Sequence, residues 1–279
     1  MLSKPFKENR ICLVVACNDK ALLDRNLLAS DMVQHSDIEI YVEHDAGSAS
    51  AVYNRGIVAT KAPIIVFAHQ DVYFPPAWRE ILNAEIARVE GVDPNWAVLA
   101  PFGVSTNGHH AGHVWSTSLG AIIGRGFSDP EPAQSFDELV IVMRRDCGLS
   151  FDDAMPQFHL YGTDIVQQAR KKQLGAYIVN MPVVHNDRFH DRLGADFGEA
   201  YKFLRRKWRA VLPLRTPILW VTKFGFGLKI YRLRAWRSLA RRRSLAADRN
   251  VDPRKYSAQC GWENPEIRAE GPVKLSSVI

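Results

Sequence analysis

Apolar runs broken by short polar stops organise the first 200 residues. Residues 11–16 read as a buried strand, 38–42 as a second short strand and 64–68 as a third. Asn18 or Asp19 can cap a helix whose apolar face includes Leu23, Leu27 and Leu28. A small-residue loop over 46–50 leads into a helix over 50–60. This β-α-β-α-β order with short connections predicts a parallel sheet carrying helices on both faces. Pro75-Pro76 opens a further helix, with Trp78, Ile81, Leu82, Ile86 and Val89 on one stripe. Residues 96–100 read as a fourth strand, 103–118 as a polar loop rich in Gly, Ser and His, and 119–123 and 140–143 as more strands. Residues 151–163 are irregular. A helix is expected from near Asp164 to near Gly175, followed by a last strand over 177–184.

Past residue 200 the pattern changes. Bulky side chains (Phe203, Trp208, Leu219, Trp220, Phe224, Phe226, Tyr231, Trp236) alternate with Lys and Arg up to residue 247. Residues 248–279 mix Pro, Gly and charge and are expected to be weakly ordered. The expected organisation is an α/β domain over 1–200, a basic aromatic helical segment over 201–247 and a tail over 248–279.

Charge sharpens this division. Residues 201–247 hold 14 of the 36 Lys and Arg and no Asp or Glu. The remaining 22 face 30 acidic residues, so the front is acidic and the back carries the positive excess. Three readings of the basic segment stay open: a helical surface packed on the domain, a face lying on an anionic membrane, or a phosphate-binding surface for nucleic acid, the last disfavoured by the enzyme-like front. A chain of 279 residues with 47% hydrophobic and 24% charged residues has the composition of a soluble globular protein. Cys12, Cys17, Cys147 and Cys260 show no C-x-x-C spacing and fit a reducing compartment. The first residues lack a secretory apolar region, and no run reaches the roughly 18 apolar residues of a membrane span. The expected location is the cytoplasm.

Three sites carry candidate chemistry. The apolar run 64–68 ends at once in His69-Gln70-Asp71. Ligands of α/β sheets sit outside the carboxyl ends of strands, and residues two apart share a side in extended chain. The pair suits a divalent cation shared with phosphate oxygens, or else is a polar strand end. Asp164 stands at an expected helix start, as a first-turn acid or as a general base. His185 ends another apolar strand. His109-His110-x-x-His113 lies in a Gly-rich loop, not on a helix, and more readily lines a pocket than binds a metal. Arg188, Phe189, His190 and Arg192 follow the last strand as a solvated loop or as partners for a diphosphate. Residues 16–20 supply no glycine, which argues against a dinucleotide-binding oxidoreductase.

The order of these parts resembles GT-A glycosyltransferases of family 2, in the subgroup similar to the streptomycin-biosynthesis-type domain. The resemblance covers about residues 10–210. It is carried by Val14-Val15-Ala16-Cys17-Asn18, by Glu43 to Asp45, by Tyr53-Asn54-Arg55-Gly56-Ile57, and by His69-Gln70-Asp71-Val72 in the place of a D-x-D element. Phe151-Asp152-Asp153, Phe158-His159-Leu160-Tyr161-Gly162-Thr163-Asp164, Val184-His185-Asn186 and the segment from Phe203 to Trp208 complete it. The resemblance implies a GT-A (Rossmann-like) fold and an inverting transfer of sugar from a nucleotide-sugar donor to a hydroxyl acceptor, a surface glycan or lipid-linked saccharide. It implies Asp71, His185 and His69 as ligands of Mn2+ or Mg2+, and Asp164 as catalytic base. Donor contacts fall to Ala16, Asn18, Glu43, Asp45, Asn54, His69, Gln70 and Arg188, and acceptor contacts to Asp137, His159 and Tyr161. Peripheral membrane contact would run through 201–247 at the inner face of the membrane, with no nucleic-acid partner. His69 stands where the family has a carboxylate, and Thr163-Asp164 where it has Glu-Asp. A neutral imidazole at 69 would favour Mn2+. The same departures motivate an alternative, a catalytically degenerate scaffold that binds a glycan or a partner protein.

Overall fold

The computed structural model describes residues 9–35 and 37–263. Its strands in chain order are β1 (Ile11–Cys17), β2 (Glu39–His44), β3 (Ile64–His69), β4 (Val72–Tyr73), β5 (Trp96–Ala100), β6 (Phe102–Ser105), β7 (His110–Gly112), β8 (Val114–Ser116), β9 (Ala121–Ile123), β10 (Glu131–Phe136), β11 (Val140–Arg144), β12 (Gly175–Ile178), β13 (Val183–His185), β14 (Leu214–Arg215) and β15 (Trp220–Val221). Nine form one sheet in the order β2-β1-β3-β11-β5-β12-β10-β6-β7. The pairings set β1, β2, β3, β5, β6 and β12 running one way and β7, β10 and β11 the other. The α/β class and the mostly co-directional central sheet are those expected from the sequence.

The runs 11–16 and 64–68 are continuously apolar because both sheet faces are covered. Cys12, Val14, Ile65 and Phe67 point to one core, packed by helices Ala49–Ala59, Tyr161–Lys171 and Ala195–Lys207. Leu13, Val15, Val66 and Ala68 point to the other, packed by Lys20–Arg25 and Trp78–Val92. The first helix is capped by Asp19, whose carboxylate accepts from the Leu22 amide at 3.0 Å. Gly56 is a packing requirement: a Cβ there would lie 2.3 Å from Val14 Cγ1, so helix Ala49–Ala59 could not approach β1 with any side chain at that position.

A second sheet, β4-β13-β8-β9, stands beyond the carboxyl end of β3. Its β4–β13 pairing places His185 opposite Val72, and so beside Asp71.

Several stretches depart from the sequence-based expectation. The supposed loop 103–118 contains β6, β7 and β8, disguised because buried small and polar residues (Gly103, Ser105, Ser116) occupy their inward positions. The expected strand 177–184 is two strands in different sheets, separated near Pro182. Strand β10 has no counterpart among the expected elements. The helix expected from Asp164 to Gly175 spans Tyr161–Lys171, turns out through the left-handed Gln173 (φ 59°), and leaves Gly175 to open β12. Helix Ala195–Lys207 runs across the expected boundary at 200. The segment expected to be weakly ordered is ordered as far as it is described. Its helix Pro253–Gln259 lies against the second sheet, with Tyr256 stacked on Trp115 at 5.0 Å and Trp262 buried. These two aromatics supply the apolar area that the surrounding Pro, Gly and charge conceal. Residues 264–279 lie outside the described residues. The four cysteines are free.

Candidate functional site

Strands β1, β2 and β3 end level with one another, Ala16 pairing with both Glu43 and His69. Beyond them the chain turns through Gln70 and Asp71. Gln70 reaches back to the β1 turn, where its Oε1 accepts from the Asn18 and Asp19 amides at 3.0 Å each. Its amide group in turn donates to Asn18 Oδ1. His69, Asp71 and His185 converge there, with one potential ligand atom from each lying within 4.8 Å of the others. Among the described residues this is the group of His, Cys, Asp and Glu side chains close enough to hold an ion, and His109, His110 and His113 do not form one.

Electrostatics differ across the three. Burial pushes the His69 imidazole down to about 4, so it is neutral near pH 7. Burial works against the Asp71 carboxylate, but His185, His69 and Arg249 outweigh it and hold the group down at about 2. Burial also works against the His185 imidazolium, and Asp71, Asp187 and Asp137 overcome that and raise it to about 9. His185 Nε2 lies 3.4 Å from Asp71 Oδ1, and Arg249 Nη2 donates to Asp71 Oδ2 at 3.3 Å. Arg249 is fixed through Asn186: its Nε donates to the Asn186 carbonyl at 2.9 Å, and Asn186 Nδ2 donates back to the Arg249 carbonyl at 3.0 Å. The Asn186 amide N–H donates to the Asp71 carbonyl at 2.8 Å.

The donor set fits a divalent ion. It offers a neutral imidazole, an ionised carboxylate and a second imidazole that would release its proton on ligation. Tyr161 supports the arrangement from below. Its hydroxyl donates to the Glu138 carbonyl at 3.1 Å and stands 2.9 Å from His69 Nε2 and 3.2 Å from Tyr53 Oη. With its hydrogen directed at the Glu138 carbonyl, the Tyr161 oxygen is an acceptor for the Nε2–H tautomer of His69, in which Nδ1 carries the lone pair. Asp137 stands half-buried beside this group and its carboxyl is raised by burial, with His185 opposing. Glu138 is raised further by burial and by Asp137, and its Oε1 is buried without a partner.

The other expected residues fall in three places. Ala16, Asn18 and Gln70 line the rim beside the triad. Glu43 binds Arg55, which holds its carboxyl below the usual range, and accepts from Tyr41 Oη at 2.7 Å, while Asp45 adopts a left-handed turn (φ 53°) after β2. The Asn54 side chain exchanges hydrogen bonds with the Phe151 backbone, at 2.9 Å each way, and donates to Asp153. His159 pairs with Asp196 at 3.1 Å, on the helix that follows the site, and Arg188 is exposed.

Asp164, expected as the catalytic base, is enclosed. It is 1% exposed and both its oxygens are engaged. Trp208 Nε1 donates to Oδ1 at 2.7 Å, Lys207 Nζ stands 2.8 Å from each oxygen, and Gln168 Nε2 donates to Oδ2 at 2.8 Å. The carboxylate joins helix Tyr161–Lys171 to the end of helix Ala195–Lys207. The segment from Phe203 to Trp208 thus acts through Asp164. Arg249 is the site residue that sequence reasoning missed. It sits in a polar stretch, and only the aromatics at 256 and 262 signalled that this stretch packs.

No protein-family model matches the chain. A protein of Fuscovulum blasticum described as "ATP synthase subunits region ORF 6" is 27% identical over 158 residues. The match spans 53% of this chain and 61% of that relative, less than two thirds of its length. Among solved structures, GalNAc-T7 with UDP, GalNAc and Mn2+ is similar at a TM-score of 0.49 and 10% identity, over 92% of this chain and 58% of the other. The mannosyltransferase PcManGT of Pyrobaculum calidifontis with GDP-Man and Mn2+ is similar at 0.42 and 14%, over 96% of this chain and 82% of the other. Likenesses of this degree fix neither a fold nor an activity.

Proposed function

We propose that the chain is a nucleotide-sugar-dependent glycosyltransferase of the GT-A type, moving a sugar with inversion to a hydroxyl of a surface glycan or lipid-linked saccharide. One observation carries the reading. His69, Asp71 and His185 meet at the carboxyl ends of β1 to β3, where an α/β sheet binds nucleotides. These three would hold Mn2+ or Mg2+, and imidazole donors favour Mn2+. When bound, the ion supplies Lewis-acid stabilisation of charge on a departing diphosphate. Gln70 and Asn18 set the rim on which the nucleotide half of the donor rests. Arg249, released from Asp71 as the ion binds, keeps its positive charge beside the diphosphate. Asp137 takes the proton of the attacking hydroxyl: it is half-buried, and burial raises its carboxyl toward the range useful for a base. Asp164 holds the helix that carries Tyr161.

The test is calorimetric titration with UDP-, GDP- and dTDP-sugars in Mn2+, paired with turnover assays. Donor binding that requires Mn2+ is the expected result, and no binding or hydrolysis across the set would sink the proposal. One observation favours a second reading, a degenerate scaffold: His185 and Arg249 already neutralise Asp71 without an ion. Nucleotide binding indifferent to EDTA, with no turnover, would select it.

A further inference from the structure

The segment after residue 208 presents a surface that the proposed transfer does not account for. Nine of the thirteen large apolar side chains exposed among the described residues lie between 211 and 245, so the exposed apolar area is concentrated on one part of the molecule. Helix Phe226–Arg237 shows how. Its small and half-buried positions, Gly227, Tyr231 and Ala235, face the protein. Phe226, Ile230 and Leu233, at i, i+4 and i+7, form a stripe that faces outward at 55%, 50% and 49% exposure, and Trp236 is 72% exposed beside them. A helix on an ordinary surface turns such a stripe inward. Phe224, at 80%, and Trp220, at 46%, extend the apolar area past the helix start.

Basic residues are interleaved with these side chains. Lys223, Lys229, Arg232, Arg237 and Arg241 are all exposed. The segment 201–247 contributes no carboxylate to pair with them. Arg243 is matched by Asp191 at 2.9 Å and Arg242 by the backbone carbonyls of His190 and Asp191. On the same side a cleft of about 490 Å³ opens between the β14–β15 hairpin and this helix, with Arg215, Trp220, Tyr231 and Arg234 in its walls. No helix among the described residues is long and apolar enough to cross a membrane.

We propose that this face lies on an anionic phospholipid bilayer, the helix Phe226–Arg237 seated in the interface with Phe226, Ile230, Leu233 and Trp236 among the acyl chains and the Lys and Arg residues at the phosphates. Charge complementarity selects this occupant: an uncompensated basic surface with interleaved aromatics matches a plane of phosphates over hydrocarbon. A cytosolic partner protein would have to supply both a large apolar area and a dense acidic rim. The cleft has the size and cations for one lipid headgroup.

Co-sedimentation of the full chain with vesicles tests this. Vesicles of phosphatidylcholine alone are compared with vesicles containing one third phosphatidylglycerol. Partition onto the anionic vesicles should exceed that onto neutral ones at least about tenfold at low salt and fall as salt rises. Each of Lys229→Ala and Arg232→Ala should lower it by roughly fivefold. The triple variant Phe226→Ser/Ile230→Ser/Leu233→Ser should lose the blue shift of tryptophan emission on vesicle binding while keeping the wild-type Tm, because these side chains are outside the core. Equal partition onto both vesicles, or none onto either, overturns the proposal. So does a triple variant that binds and shifts like wild type. A dimer by light scattering that the triple variant dissociates would assign the face to a second copy instead and equally overturn it.

Discussion

Asp71 and Asp164 are two acids at the ends of secondary-structure elements, and the fold holds them in opposite ways. Asp164 has a side chain 2% exposed and is gripped by an ammonium and an amide on packed helices and by the indole that caps one of them. Asp71 keeps 16% of its side chain exposed, and its cationic partners are an imidazole and a guanidinium delivered by a late segment of the chain. The first carboxylate is fully enclosed by fixed partners, and the second keeps an open side. A helix-start position and a strand-end position look equally functional in sequence. What separates them is whether the partners leave the carboxylate open to a further ligand.

The largest expected effect tests the fixed side. Asp164→Ala leaves the buried Trp208 Nε1 without its acceptor and takes from Lys207 one of two carboxylate partners, Asp152 remaining at 2.6 Å, and should cost about 3 kcal/mol in chemical denaturation, as the loss of a buried charged acceptor does. A cost under about 1 kcal/mol would show that the anchor is dispensable. Next comes the open side. Asp71→Asn should weaken Mn2+ binding by about 100-fold or more in calorimetry, since a ligand carboxylate is lost. Arg249→Ala should act with the opposite sign, tightening Mn2+ roughly fivefold by removing a competing cation of about 1 kcal/mol. Weaker Mn2+ binding in that variant would mean that Arg249 positions the site and does not plug it.

A smaller effect is pH dependence of stability. His69 is depressed to about 4 from 6.5, so the unfolded chain takes up its proton first and stability is lost as pH falls from 6.5 toward 4. Asp71 adds to this, its contribution present above 3.8 and lost as pH falls toward 2. His185 is raised to about 9, so its contribution is full below 6.5 and is lost as pH rises toward 9. Thermal denaturation of the metal-free protein should therefore give a Tm maximum near pH 6.5, and a Tm flat from 5 to 9 would contradict these environments. The smallest effect is at the rim. Arg55→Ala breaks an exposed pair with Glu43 and should change stability by no more than about 0.5 kcal/mol.

The sequence discloses these regions unequally. Strands β1 and β3 are legible because both faces of the sheet are covered, which leaves unbroken apolar runs. His69, Asp71 and His185 are legible because each stands where such a run stops. The strands within 103–118 are hidden by their own interior, where Gly103, Ser105 and Ser116 fill positions that a reader expects Val or Ile to hold. The difference between Asp71 and Asp164 is hidden for another reason. It lies in contacts with Arg249, Lys207 and Trp208, residues far along the chain whose approach depends on the whole fold.

Strand β11 also governs the order of assembly. It lies antiparallel between β3 and β5, so the two halves of the large sheet touch only through it. The Leu139 carbonyl just before it accepts the His69 amide at 2.9 Å, so the strand end bearing the site is pinned by the same insertion. A growing chain can pair β1, β2 and β3 as soon as residue 69 is made, yet the inner edge of β3 must wait for residues 140–144. Non-local closure of this kind is slow and leaves an unpaired strand edge exposed in the meantime. In pulsed hydrogen exchange during refolding, β5 and the inner edge of β3 should gain protection together, after β1 and β2. Protection of β5 ahead of β11 would refute this order.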